Sequence, residues 1–597
     1  MGAVRVCIVA KYNQNQNLKP RMSSNNPYTT NHSQYVALFL LLFLGIYHTC
    51  GYYGHFGYDD MYYAQYAAQV AKGTLSLPSD HYAYRWALIF PVGLCYSLFG
   101  INDSASSIFP LIVTAITLFL VHRASLRLAA PQWRNETSIV AMSLFLLSHW
   151  TLFYADKIMP DTLVTLGIVG SLYAVARQRY NKTSPQKTLF NVLVGTFSLW
   201  FAFLSKENVL LLLPLFAFLL IADWVQGKQR RFWTSIILLN LVIAFSYFGF
   251  FYIQKGNPFY RFEAIKLNSY FNPSCSYDVL PYAVVLRRIS YELPLIFIGG
   301  GMALGMAASL LSLSQHSIKQ WWRSEDEPTF WISSFVGAFL LSNFMTTSTH
   351  AYMPLCADPR HYLYLVPIAS LAAAPYLVEL IKGKQSSLSF ALLLACFTAL
   401  CIWHGHGIGI LCYLPLSLYF FYLFFIFAYK NKKKPIENDR LWAVISFKKN
   451  KYTHHFALYL FLFFLMPYHL HYMRHARKTN YHAQKELIHD FFKKQTTPTL
   501  VITSDVQAKL ATYYHAFDTI ANQFITYKEA QKYPFANENR KIYVLSTQFG
   551  NQHSGFSPKT LPYYIQNPPP NMQKMYHNPD NTLLIYEVNQ AATMQWE

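Results

Sequence analysis

Charge is scarce in this chain. Only 13% of its 597 residues are Asp, Glu, Lys or Arg, about half the share that a soluble globular domain carries, so the chain as a whole does not read as a soluble protein. Acidic residues are the scarcer kind, 28 against 49 Lys and Arg, which leaves a net charge of +21. Cysteine is sparse: eight residues, none in a Cys-x-x-Cys pair, which removes the zinc-ribbon and dithiol redox classes. The basic residues lie in short loops between apolar runs, the membrane-orientation pattern, and no RNA- or DNA-binding motif is present, so the positive charge is not assigned to nucleic acid. The polar, Asn-rich start also lacks the apolar core and small-residue cleavage site of a signal peptide.

What the chain has in excess is apolar and aromatic surface: 53% hydrophobic residues, 17% aromatic, with 45 Tyr and 47 Phe. That is the composition of a polytopic membrane protein. Apolar runs near the ~20 residues a bilayer core requires lie at 35–52, 104–122, 137–155, 160–177, 188–204, 209–225, 233–253, 291–313, 328–346, 362–381, 386–403, 408–429 and 456–472. These predict about thirteen transmembrane helices. A fourteenth apolar run, Arg85 to Phe99, is assigned by the positive-inside rule. If it crossed, the basic loop from Lys430 to Lys451 would fall outside, so it is read as lying along the membrane within one external loop, 53–103.

The fold expected is therefore mainly α. Residues 1–34 form a polar cytoplasmic lead, with Met22 as an alternative start, and 35–472 a membrane domain. Residues 473–597 form a small α/β domain on the external side of the plasma (inner) membrane, periplasmic in a bacterium. Within that tail, 499–503, 541–545 and 582–586 read as strands and 506–514 as a helix. Cys275 and Cys356 fall in external loops, where an oxidising compartment permits a disulfide.

Four polar spots interrupt this apolar chain, and the topology puts all four on one membrane face. The first is Tyr58-Asp59-Asp60-Met61-Tyr62-Tyr63, two carboxylates a few residues beyond the first span. Carboxylates are costly to desolvate, so a pair held at a bilayer surface suggests a site; the plain alternative is that they cap the helix that follows. The second is Pro160-Asp161, at the start of a span, where an acidic residue also suits the helix dipole. Ser205-Lys206-Glu207-Asn208 forms a short turn between spans. Asp358-Pro359-Arg360-His361-Tyr362 leads into a late span, where an interfacial anchor is the plain alternative.

Taken in this order, the motifs resemble the GT-C glycosyltransferases of the family 39/83 type, which includes protein O-mannosyltransferases and the bacterial transferases that add aminoarabinose to lipid A. The stretch His81 to Gly100, with Arg85 before Trp86, and the stretch Lys255-Gly256-Asn257-Pro258-Phe259-Tyr260-Arg261 also look like loops of that family. The resemblance covers most of 35–475. It departs at Asp60, where the family more often has Glu. The resemblance implies an inverting transfer of a sugar from a polyprenyl-phosphate carrier to a lipid, glycan or protein acceptor, with the bilayer as surroundings. Asp59 matches the catalytic base, with Asp60 and Asp161 as further catalytic candidates. Arg85, Lys206, Arg261, Arg360 and His361 become candidates for holding the substrate, Arg having the fork that suits phosphate. No cofactor is required; some relatives hold a divalent metal, for which His81 or His361 would be ligands. A lipid-linked oligosaccharide ligase and a polytopic transporter or flippase are the alternative readings.

Overall fold

A backbone in hydrocarbon must satisfy its own N–H and C=O groups, and helices do so within one segment. The computed structural model describes residues 32–181, 184–267, 281–315, 326–348, 352–431, 458–476, 480–492, 497–517, 523–530, 532–535, 538–547, 572–577 and 583–588. Among the described residues, six helices are long and apolar enough to cross a membrane: His32–Gly51, Asp103–Ser125, Pro185–Ser205, Glu207–Val225, Arg230–Lys255 and Gly407–Ala428. Shorter apolar helices include Ala303–Leu313, Leu365–Ile381 and Leu388–Trp403, and the helix Pro160–Tyr180 is largely buried. The chain is a multi-pass membrane protein, supported by six such helices against the thirteen spans expected from its apolar runs.

Three of those runs are not single helices; one, 456–472, breaks before the helix Pro467–Ala476. The run 137–155 divides into Arg134–Leu146 and His149–Tyr154, and 291–313 divides into Leu293–Gly299 and Ala303–Leu313. These last two breaks meet. The Ser148 hydroxyl donates to the Gly300 carbonyl at 3.2 Å, and a Cβ on Gly300 would lie 1.7 Å from the Trp150 ring. Each interruption thus supplies part of what the other's helix end lacks.

The first loop carries two helices, Asp59–Ala71 and Trp86–Phe99. The second is the run whose crossing was in question. Its 14 residues extend about 21 Å at 1.5 Å per residue, short of the ~30 Å hydrocarbon core. Cys356 is disulfide-bonded; Cys275, the partner suggested by the loop positions, lies outside the described residues, as do 1–31 of the polar lead and 432–451 of the basic loop.

The tail folds around a five-stranded sheet in the order β2-β1-β3-β5-β4. The strands are β1 Thr499–Thr503, β2 Gln523–Thr526, β3 Lys541–Thr547, β4 Met572–His577 and β5 Leu583–Val588. β1 pairs in parallel with β2 and β3, whereas β5 runs antiparallel to β3 and β4. Alternate residues pack on opposite faces: Leu500 and Ile502 enter one core, and Val501, Tyr543 and Ile585 the other. The three expected strands are present; β2 and β4 escaped the sequence reading because they are the sheet's edges and carry polar residues.

The helix Asp505–Tyr514, capped by the Ser504 hydroxyl, joins the tail to the first loop. Its Val506, Leu510 and Tyr513 belong to the same apolar core as the membrane helices. Gly57 allows this contact: its φ is +82°, and a Cβ there would lie 2.5 Å from Val506 Cγ1. Gly57→Ala is therefore expected to destabilise the protein by roughly 2 kcal/mol or more, combining a left-handed backbone with overpacking. Gly73→Ala has a φ of +67° but open space around it and is expected to cost only about 1 kcal/mol. Thermal unfolding of both variants in detergent checks the contrast, and equal losses would contradict it.

Candidate active site

The helix Asp59–Ala71 begins with two carboxylates in its first turn, where the helix dipole favours negative charge. The structure gives them different tasks. Asp60 is fully buried. Its oxygens accept from the backbone N–H of Phe56 at 2.5 Å, Tyr58 at 2.9 Å and Met61 at 3.1 Å, with His55 Nδ1 3.5 Å away. The capping alternative thus falls to Asp60, which ties the loop to the helix; its carboxylate is committed to backbone rather than to a cavity.

Asp59 faces elsewhere. The Tyr82 hydroxyl donates to Oδ1 at 2.7 Å, and Arg360 Nη1 donates to Oδ2 at 2.9 Å. Tyr82 is held by stacking on Tyr62, with ring centroids 4.7 Å apart. Burial alone would raise the Asp59 pKa, but Arg360 and Tyr82 outweigh it and hold the carboxyl below its usual range. Arg360 is anchored in turn by Asp358: its backbone N–H donates to Oδ1 at 3.0 Å, and its Nε lies 3.0 Å from Oδ2. The side chain of Asp59 remains 22% exposed, so a substrate group can approach it.

Asp161 sits just inside a helix opened by Pro160. It accepts from Lys206 Nζ at 2.7 Å through Oδ1, while Oδ2 is buried without a hydrogen-bond partner. Lys206 lies at the sharp turn between Pro185–Ser205 and the next helix. Burial pushes the Lys206 amine below its ordinary value, against the pull of Asp161. Asp161, Lys206, Asn208, Arg360, His361 and Tyr364 line one small cavity of ≈20 Å³, enough for about one water. His361 is partly buried, and desolvation with Lys206 and Arg360 nearby holds it far below the usual imidazole value.

The remaining cations form a second group. Arg85 makes a two-pronged pair with Glu207, in which Nη2 donates to Oε1 at 2.8 Å and Nη1 to Oε2. Arg261 reaches Glu207 Oε2 at 3.3 Å, donates to the Phe203 carbonyl at 2.7 Å and stacks 4.5 Å above the Phe203 ring. Beside them, burial and the Arg85 charge lower His81 to about 4. Among the described residues, no three His, Cys, Asp or Glu side chains are grouped to hold a metal ion. Neither His81 nor His361, the ligands the resemblance offers, belongs to such a group, and no step is assigned to a metal.

The structure thus brings Asp59, Asp161, Lys206, Arg360 and His361 to one place, from four separate chain segments. Arg85 and Arg261 meet at Glu207, one residue from Lys206; Asp60 is turned away. Sequence reasoning missed Tyr82 and Glu207 as functional residues, though both stood in stretches it had singled out.

No protein-family model matches the chain, and no curated protein matches it by sequence. Solved structures do match. The crystal structure of ArnT from Cupriavidus metallidurans bound to undecaprenyl phosphate gives a TM-score of 0.53 at 13% identity, over 93% of this chain and 98% of that chain. The same protein in the apo state gives 0.55 at 12% identity, over 95% and 100%. The apo oligosaccharyltransferase of Archaeoglobus fulgidus covers 94% of this chain and 74% of its own at a TM-score of 0.48 and 11% identity. The GT-C resemblance read from the sequence therefore holds as one of fold, shared with ArnT along nearly the whole chain.

The buried Asp161–Lys206 pair makes a stability prediction. Removing one partner of such a pair typically costs 3–5 kcal/mol, about what Asp161→Asn is expected to lose near neutral pH. Without Asp161 the main charge opposing the downward push on Lys206 is gone. Stability of the variant should then rise with pH, as the folded chain gives up a proton that the unfolded chain keeps. Asp161→Asn combined with Lys206→Met should recover most of the loss. Thermal unfolding in detergent across a pH series checks both points; a loss that is the same in the double variant would contradict them.

Proposed function

We propose that this protein is an inverting glycosyltransferase that takes a sugar from a polyprenyl-phosphate carrier and passes it to a lipid, glycan or protein acceptor. The reading places the chemistry at the external face of the plasma membrane, with 35–472 as the catalytic membrane domain and 473–597 as an external domain. The observation that carries it is Asp59: a carboxylate kept ionised by Arg360 and Tyr82, partly open, and next to a cluster of cations at the head of an apolar groove. That groove, of ≈520 Å³, runs among the helices around Trp200, Phe216, Ile236 and Phe248. Its wall includes Phe203, on which Arg261 stacks, and Val209, which also lines the polar cavity. An isoprenoid chain in the groove would bring its phosphate to the guanidinium groups.

The chemistry follows from these positions. The acceptor hydroxyl attacks the anomeric carbon from the face opposite the phosphate. A bond forms from that oxygen to the carbon, the carbon–oxygen bond to phosphate breaks, and the electron pair leaves with the polyprenyl phosphate. Asp59 receives the hydroxyl proton. An alcohol becomes acidic only as it attacks, so a base that stays ionised while waiting is suited to the task, and such assistance is worth ~10²–10⁴ in rate. The leaving phosphate gains a negative charge, which Arg85 and Arg261 are placed to meet with charge-assisted hydrogen bonds. Lys206 and Arg360 keep Asp161 and Asp59 in place.

ArnT, the protein whose fold this chain shares, was crystallised with undecaprenyl phosphate, and that lipid supports the same carrier class here. The test is Asp59→Asn, which keeps the shape and helix-capping capacity of the side chain and removes its charge. Release of polyprenyl phosphate from a polyprenyl-phosphate sugar should fall by ~10²–10⁴, while carrier binding persists. Near-normal transfer by Asp59→Asn at matched expression would overturn the assignment.

A further inference from the structure

Each of the four candidate cations for the carrier's phosphate already has an anionic partner. Arg360 holds Asp59 and Lys206 holds Asp161, while Arg85 and Arg261 share one carboxylate, Glu207. The last group is unbalanced: two guanidinium groups face a single carboxylate. It is also incompletely satisfied, since Nε of Arg85 and Nε of Arg261 are both buried without a hydrogen-bond partner. Buried donors left unpaired are rare and call for a reason.

The three side chains are not equally fixed. Arg85 and Arg261 are 2% and 1% exposed. Arg261 is further pinned by the Phe203 carbonyl, the Phe203 ring and the Tyr247 hydroxyl at 3.3 Å. Glu207 is the accessible member, its side chain 17% exposed, at the start of a short 3-10 turn. Of the three, it is the one able to swing out.

The geometry points to Glu207 as a stand-in anion: it occupies the guanidinium pair while no carrier is bound, and the phosphate of the incoming lipid displaces it. This rests on the carrier class proposed above. A carboxylate offers two oxygens to the pair; a phosphate offers more, including partners for the two Nε–H groups. The exchange replaces one buried anion by another, so neither arginine is left buried and unpaired, a state that costs far more than the pair yields. Holding the site closed in this way reduces the apparent affinity for the carrier by the fraction of molecules in which Glu207 is out. It also gives the departing polyprenyl phosphate a competitor that helps to release it.

The sign of one affinity change separates this from a purely structural triad. Binding of undecaprenyl phosphate and of undecaprenol to the full chain in nanodiscs is measured for the wild type, Glu207→Gln and Glu207→Asp. Glu207→Gln is expected to bind the phosphate lipid about tenfold more tightly with undecaprenol unchanged, and Glu207→Asp, which keeps the charge, to stay near the wild type. Unchanged or weaker phosphate-lipid binding by Glu207→Gln overturns the stand-in role and leaves the carrier reading intact. A wild type that does not prefer the phosphate lipid to the alcohol overturns both. A second measurement needs no variant: carbodiimide labelling of Glu207 in the wild type, mapped by mass spectrometry. Labelling should rise several-fold when undecaprenyl phosphate is added, because displacement frees the carboxylate; equal or lower labelling overturns the proposal.

Discussion

The Asp59–Arg360 pair, 2.9 Å between oxygen and nitrogen, joins two segments 301 residues apart. In a chain with so few charges, the position of each is set by its partner, because an unpaired ion next to hydrocarbon is too costly to keep. The same constraint places Asp161 on Lys206 and both Arg85 and Arg261 on Glu207. It reaches deeper too: Lys157, fully buried, pairs with Asp156 at 2.7 Å and lies 4.4 Å over the Tyr52 ring. These pairs are what brings the first loop, the turn at Lys206 and the stretch before Leu365–Ile381 together at one spot.

The tail fixes the other side of the first loop. Tyr481 and Lys485 donate to Asp103 at 2.6 and 2.8 Å, and Lys72 donates to the carbonyl of Ala516 at the end of the helix that packs on Gly57. His55, between Asp60 and Asp103, stacks edge-on against Tyr513 at 4.7 Å. The result is division of labour along two neighbouring residues: Asp60 is locked from the tail side, and Asp59 faces Tyr82 and Arg360.

Much of this was legible in the sequence because the signals are local. Apolar runs mark the six long apolar helices, and the four polar spots stand out against them by charge alone. Pro160-Asp161 and Ser205-Lys206 announce their turns directly. What could not be read depends on distant partners. The Arg85 and Arg261 motifs suggested candidates for phosphate binding but not Glu207 between them, since nothing in either stretch specifies the turn that meets it. The split of roles between Asp59 and Asp60 needed the fold, because both are equally placed to cap. The runs 137–155 and 291–313 read as continuous because hydropathy does not register a break whose polar groups are satisfied by another break.

Asp59, the proposed base, owes its charge state chiefly to Arg360. The direct measurement is the pH dependence of kcat/KM for sugar transfer from a polyprenyl-phosphate sugar, in the wild type and in Arg360→Gln. In the wild type, the arginine and Tyr82 hold Asp59 below the usual carboxylate range, so activity should persist to acidic pH. Arg360→Gln removes the main opposing charge and leaves burial, which raises the carboxyl; the acid limb should then move to higher pH, with Asp59 protonated and inactive below it. An acid limb that stays where it is in Arg360→Gln would contradict the account.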